Sequence, residues 1–167
     1  MKGDRAMSVV KKTKKYRPNV AAVILSSRYP LDCEIFIANR SDFRDDVWQF
    51  PQGGIDEGEN PQEALMRELL EEIGTNDVEI LCEHPDWMTY DFPGKATVKR
   101  YPFDGQTQKY FLVKLKPEAK IELNTKVPEF NEYKFVKPDE LFDYITHMKK
   151  PIYKKVLDYF KKEGYLS

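Results

Sequence analysis

Apolar residues along this chain fall into short runs separated by polar turns, with one longer stretch at helical spacing. Between Asn19 and Ser26 the run Val-Ala-Ala-Val-Ile-Leu is rich in β-branched residues and predicts a buried strand. After the turn-like Tyr29-Pro30-Leu31-Asp32, the segment Glu34–Ala38 predicts a second. Val47–Phe50 predicts a brief third, closed by Pro51 and the Gly53-Gly54 pair. The spacing then changes. From Pro61 to Ile73 the apolar residues Leu65, Met66, Leu69, Leu70 and Ile73 gather on one side of a helix, and Glu68, Glu71 and Glu72 on the other. Asn60 suits the N-cap, Pro61 the first helical position and Gly74 the stop. Further strands are predicted at Val78–Cys82, Trp87–Phe92, Thr107–Leu115 and Tyr133–Val136. Pro138–Leu141 reads as a helix start, and Pro151–Lys162 as a last amphipathic helix with Ile152, Val156, Leu157 and Phe160 inward. Strands and helices mix without regular alternation, which predicts an α+β fold in a single domain.

At 167 residues the chain can bury one real core and is short for two. Its 27 basic and 28 acidic side chains give a net charge of -1, which excludes a globally basic nucleic-acid binder but permits separated patches. The ends are basic (Lys11, Lys12, Lys14, Lys15 and Arg17; then Lys149, Lys150, Lys154, Lys155, Lys161 and Lys162), and the middle is acidic around Asp42, Asp45 and Asp46. Residues 1–15 read as a flexible basic arm, 16–163 as the folded domain and 164–167 as a tail. No signal peptide and no run of about 18 apolar residues is visible, so a cytoplasmic location without a membrane span is expected. Cys33 and Cys82 form no disulfide framework or metal-ligand spacing and are expected to be buried thiols. His84 and His147 are not spaced as a metal pair.

The chemistry concentrates in the glutamates. Glu68, Glu71 and Glu72 stand at i, i+3 and i+4, so their like charges crowd one helix face. A divalent cation relieves that repulsion, because hard cations take several carboxylate oxygens. Salt bridging along the helix is a poorer explanation. No Lys or Arg follows any of the three at i+4, and Arg67 precedes Glu71 in the weaker orientation.

The spacing Gly53-x5-Glu59-x7-Arg67-Glu68-Leu69-x-Glu71-Glu72-Ile73-Gly74 resembles the Nudix hydrolase box, departing from it at Thr75, where an aliphatic residue is usual. The resemblance implies a mixed β-sheet sandwiched between helices (αβα) and divalent-metal-dependent cleavage of phosphoanhydrides, with Mg²⁺ as cofactor and Mn²⁺ as substitute. It makes Glu68, Glu71 and Glu72 catalytic metal ligands, with Glu68 as ligand or general base. A backbone carbonyl of Gly53 or Gly54 completes the shell, and Glu59 and Arg67 form a structural ion pair.

The flanks resemble the bacterial RNA pyrophosphohydrolase branch, which converts 5′-triphosphorylated RNA ends to monophosphate and so triggers decay. The matching stretches are Tyr16–Val20, Trp48–Ile55, Gly105–Phe111 and Pro128–Phe130. That likeness adds Glu129 as a remote metal ligand, Arg17 and Arg40 (with Arg44 in competition) as phosphate contacts, and Lys149 and Tyr90 beside the substrate. Gln52 is a further candidate to face it. Met148 stands where those enzymes carry a base-stacking Phe, an aromatic platform worth about 1–3 kcal/mol per base. A thioether can still pack on a base face, so stacking is expected to be weaker here or to be supplied by Tyr90 or Tyr153. The implied partner is triphosphorylated RNA or a nucleotide, with monomer and homodimer both open. Dinucleoside polyphosphate hydrolysis, nucleoside triphosphate hydrolysis and a non-catalytic nucleotide- or RNA-binding module are the alternatives.

Overall fold

A computed structural model of the chain describes residues 13–40, 46–94 and 102–167. Most of the expected basic arm, and Arg44, Asp42 and Asp45, lie outside the described residues. The strands are β1 (Tyr16–Leu25), β2 (Ile35–Arg40), β3 (Trp48–Gln49), β4 (Gln52–Gly54), β5 (Val78–Glu83), β6 (Met88–Asp91), β7 (Gly105–Leu115) and β8 (Phe130–Val136). The helices are α1 (Pro61–Ile73), α2 (Pro138–Leu141) and α3 (Lys150–Lys162). One mixed sheet runs in the order β3-β2-β1-β7-β5, with β4 on β1, β6 on β7 and β8 on β2. β1 and β7 pair in parallel, in register from Tyr16↔Gly105 to Leu25↔Lys114.

The period-two alternation of β1 divides the core. Val20, Ala22 and Ile24 pack with Leu65, Leu69 and Ile73 of α1. Ala21, Val23 and Leu25 face the other way, into the cluster holding Val156, Leu157 and Phe160 of α3. The sheet is therefore covered on both faces, giving the expected αβα arrangement. Burying each large aliphatic side chain contributes about 1.5–3 kcal/mol.

α1 begins and ends where its sequence dictates. The Asn60 side chain accepts from the Glu63 amide at 2.8 Å, and Glu63 accepts from the Asn60 amide at 2.9 Å, a reciprocal capping box. Gly74 takes φ 75°, and a Cβ there would stand 2.7 Å from the Glu122 carbonyl oxygen. Thr75 is buried, its hydroxyl accepting from the Asp77 amide at 3.1 Å. A hydroxyl at the box's closing position thus serves the turn into β5.

Other expectations change. Leu70 is 53% exposed, because it lies on the rim of the apolar stripe and Leu65, Leu69 and Ile73 fill the contact with the sheet. In α3 Tyr153 joins Val156, Leu157 and Phe160 as a buried residue, and Ile152 is only half-buried. Cys33 and Cys82 are free but only half-buried. β1 extends back to Tyr16 through polar residues because β7 supplies parallel partners. β4, which follows Pro51, exists because Asn19–Ala21 pair with Gln52–Gly54. The tail is anchored, with Leu166 buried and the Tyr165 carbonyl accepting from the Tyr29 hydroxyl at 2.7 Å. Among the described residues no helix is long and apolar enough to cross a membrane.

Replacing Asn60 with Ala removes half of the capping box. The expected cost is about 1 kcal/mol, seen in a thermal melt as a fall of roughly 2–4 °C. An unchanged melting temperature would contradict the role given to this cap.

Candidate active site

β4 meets α1 through two glycines whose missing side chains make room for others. A Cβ on Gly53 would lie 2.0 Å from the Glu68 Cδ, so the Glu68 carboxylate rests directly on the strand backbone. A Cβ on Gly54 would lie 2.2 Å from Arg17 Nη2, so the Arg17 guanidinium occupies that place. The two adjacent glycines therefore seat an acid and a base that both line one cleft.

Arg67 ties loop to helix. Its Nε and Nη2 donate to the two Glu59 oxygens at 2.7 and 2.8 Å, a bidentate pair, and Nη2 also donates to the Gly54 carbonyl at 2.8 Å. Nη1 donates to Glu68 at 2.8 Å and to Glu71 at 3.1 Å, while Asp56 stands 3.4 Å from Nη2. The hydrogen bonds from Arg67, then from the Asp56 amide, hold the Glu59 carboxyl down at about 2. The pairing of Glu59 and Arg67 expected from sequence is present, and the guanidinium reaches farther than expected, across to two of the box glutamates.

Glu68, Glu72 and Glu129 share a polar cleft of about 290 Å³ with Arg17, Arg40, Gln52 and the two glycines. Glu72 is 6% exposed and accepts from the Gln52 amide at 3.3 Å. Burial first, then the charges of Glu68 and Glu129, push its carboxyl well above the usual range. Burial also raises Glu68, against the pull of Arg67. Glu71 borders the adjoining face of the cleft but is turned onto Arg67. Among the described residues, no three acidic, His or Cys side chains already form a metal shell. The donor set still fits a hard cation: three carboxylates converge on one cleft, and one of them is buried against two like charges. Of the two candidate carbonyls, that of Gly54 accepts from Arg67, and Gly53 stands opposite Val20 in the β1–β4 ladder.

Glu129 reaches this cleft through a register shift between β2 and β8. Asn39 pairs with Glu132 but Arg40 pairs with Phe130, so the irregularity brings Arg40 and the residue before β8 to one place.

Beyond the polar cleft lies a second pocket of about 400 Å³, with Tyr90, Phe92, Pro93, His147, Met148 and Lys149 in its wall. Arg40, Gln49, Gln52 and Gln106 border both. Lys149 is buried and its ammonium lies 5.5 Å from the Tyr90 ring centre. Met148 is half exposed on the rim. Tyr153, the other aromatic considered for stacking, is unsuitable: it is 1% exposed, stacked on Phe50 at 4.1 Å, and its hydroxyl accepts from the Phe50 amide. Trp48 is buried in the core beside it.

Sequence reasoning missed the support beneath Gln52. The Gln108 amide nitrogen donates to Asn19 at 2.8 Å and to Gln52 at 2.9 Å, while its oxygen accepts from the Tyr110 hydroxyl at 2.9 Å. Each member of this buried chain is partnered, which fixes the Gln52 side chain. The available signal was a pair of amides, Gln106 and Gln108, at alternate positions leading into the apolar run Tyr110–Val113. Tyr90 donates to Gln106 in the same layer.

A family model described as NUDIX domain matches residues 15–160. A Nitratiruptor protein named RNA pyrophosphohydrolase is 68% identical over 152 residues, covering 91% of this chain and 97% of the relative. A Sulfurovum protein of the same name is 66% identical over 152 residues, covering 90% and 96%. Among solved structures, a C. elegans Ap4A hydrolase in a binary complex has a TM-score of 0.65 over 87% of this chain and 98% of its own. At 20% identity it is a likeness of fold.

Gly53→Ala tests the seat of Glu68. The added methyl meets the end of a flexible side chain, so the melt should move by less than about 1 kcal/mol. Displacing the carboxylate should weaken Mn²⁺ binding by about 10–100-fold, read by electron paramagnetic resonance titration. Unaltered Mn²⁺ affinity would count against Glu68 as a ligand.

Proposed function

This chain belongs to the NUDIX domain family, and from that membership we propose that it is an RNA pyrophosphohydrolase, converting 5′-triphosphorylated RNA ends to monophosphate. The observation that carries the reading is 68% identity to a relative so named, across nearly the whole of both chains. Members of this family require divalent cations. Here the ion would be Mg²⁺, with Mn²⁺ as substitute, and Glu68, Glu71, Glu72, Glu129 and the Gly53 carbonyl would hold it. Glu71, bonded to Arg67 in this structure, would have to turn to serve as a ligand. The reading carries with it a cytoplasmic location, where such RNA ends are made.

When bound, the cation neutralises phosphate charge and favours departure of the leaving group. The chain's own residues do the rest. Arg17, seated on Gly54, and Arg40, beside Glu129, grip phosphate oxygens through their planar forks. Glu68 accepts a proton from the attacking water as its oxygen bonds to phosphorus. The phosphoanhydride P–O bond then breaks, releasing pyrophosphate, or one phosphate in each of two rounds. Gln52, fixed by Gln108, borders the path from phosphates to base. Tyr90, Met148 and Lys149 receive the first nucleotide, with the Met148 thioether packing on its base in place of a ring.

Diadenosine tetraphosphate and GTP offer the same bond type and are the comparison substrates. Under Mg²⁺, catalytic efficiency should be highest on short triphosphorylated RNA. Robust turnover of the other two with none on RNA would defeat the reading. Glu68→Gln should lower kcat by about 10²–10⁴-fold while the fold and RNA binding persist. Unchanged turnover would remove Glu68 from the mechanism.

A further inference from the structure

His147 stands between β3 and the Met148-Lys149 wall of the second pocket, and both of its ring nitrogens are engaged. Nε2 lies 3.1 Å from the Trp48 carbonyl oxygen, and Nδ1 lies 3.2 Å from the Lys149 amide nitrogen. A carbonyl accepts and an amide donates, so one arrangement satisfies both bonds: a neutral ring with its proton on Nε2. The ring also meets Tyr153 edge to face at 5.2 Å. Trp48 is part of the core, whereas Met148 is half exposed and Lys149 reaches over Tyr90. Lys149 begins α3 without a side-chain cap of its own. The imidazole thus supplies the acceptor for that first amide and fastens it to β3.

We infer that His147 is a positioning residue for substrate, tethering the Met148-Lys149 corner to the Trp48 carbonyl so that the nucleotide pocket is preformed. This rests on the proposed placement of the first nucleotide against Tyr90, Met148 and Lys149. His147 acts through those residues and takes no proton from substrate. Its surroundings favour the neutral ring. Burial, then the positive charges of Lys149 on the same turn and Arg40 from β2, hold its pKa down at about 4, against the pull of the Trp48 carbonyl. Tyr153 of α3 presents a ring rather than a charge.

The test separates the two bonds. In His147→Gln the side-chain amide reaches the Nε2 position and can donate to Trp48. In His147→Asn it reaches only the Nδ1 position, and His147→Ala keeps neither. With triphosphorylated RNA and Mg²⁺, Ala and Asn should raise KM about tenfold, the value of a lost tether of ordinary strength, with a much smaller change in kcat. Gln should restore KM most of the way. A KM unchanged in folded Ala and Asn variants, or rescue by Asn and not Gln, overturns the tether. Loss of activity that follows only the folded fraction in a melt, at constant KM, does the same. Nitrogen-15 spectra of the wild type should show an Nε2-protonated ring that does not titrate between pH 8 and 5.5. Titration near 6.5 would overturn the geometry. The RNA reading fails separately: wild type active on diadenosine tetraphosphate and inert on RNA rejects that substrate, while the KM ratios are still read on the dinucleotide.

Discussion

A single guanidinium, that of Arg67, is shared by Glu59, Glu68, Glu71 and the Gly54 carbonyl, and the geometry of the cleft depends on it. One end of the fork is committed to the loop. The bidentate pair with Glu59 and the bond to Gly54 fix the loop after β4 against the first turns of α1. The other end is in contention, because Glu68 and Glu71 both lean on Nη1. Arg67 is therefore a structural clamp and a local countercharge together. A lysine, with one point charge and no fork, could not hold both sides.

Charge placement follows from this division. Glu72 makes no bond to the clamp; it is buried, and that burial and the charges of Glu68 and Glu129 push its carboxyl well above the usual range. Two adjacent glycines leave room for Glu68 at one and for Arg17 at the other. That packing is inaccessible to any residue with a Cβ. The glycines are thus explained by what fills the space beside them, and their backbone angles need no special conformation.

α1 was legible because each of its signals is local: Asn60 and Glu63 cap it, Pro61 starts it, and Gly74 ends it. β4 was not legible, since Gln52-Gly53-Gly54 has no strand propensity and becomes a strand only through β1. Leu70 matched the helical period yet is exposed, because periodicity identifies a side of a helix and not the width of the contact. Spacing alone grouped Glu68, Glu71 and Glu72, whereas Glu129 entered only through the resemblance and lies in the cleft with Glu68 and Glu72. Tyr153 could not be sorted from Tyr90 that way, because both are aromatic and only packing against Phe50 removes one of them. His147 offered no sequence signal either; its meaning comes from a carbonyl 99 positions away in the chain.

The polar cleft and the apolar-walled pocket are joined by Arg40, Gln49, Gln52 and Gln106, which border both. Such a trough suits a ligand that is itself divided, with a phosphate chain at one end and a base at the other. The joining residues are a cation and three amides, which can bind ribose and phosphate without adding to the negative charge of the cleft. Their positions come from distant parts of the fold: Arg40 from the register shift of β2, Gln52 from the buried Gln108 amide, Gln106 from the layer of Tyr90. The parallel pairing of β1 with β7 sets Arg17 opposite Gln106 and Asn19 opposite Gln108. A slip of one residue in that ladder would turn Gln108 toward the opposite face of the sheet and dismantle the join. The geometry of the two pockets is thus set by strand register as much as by the acidic helix.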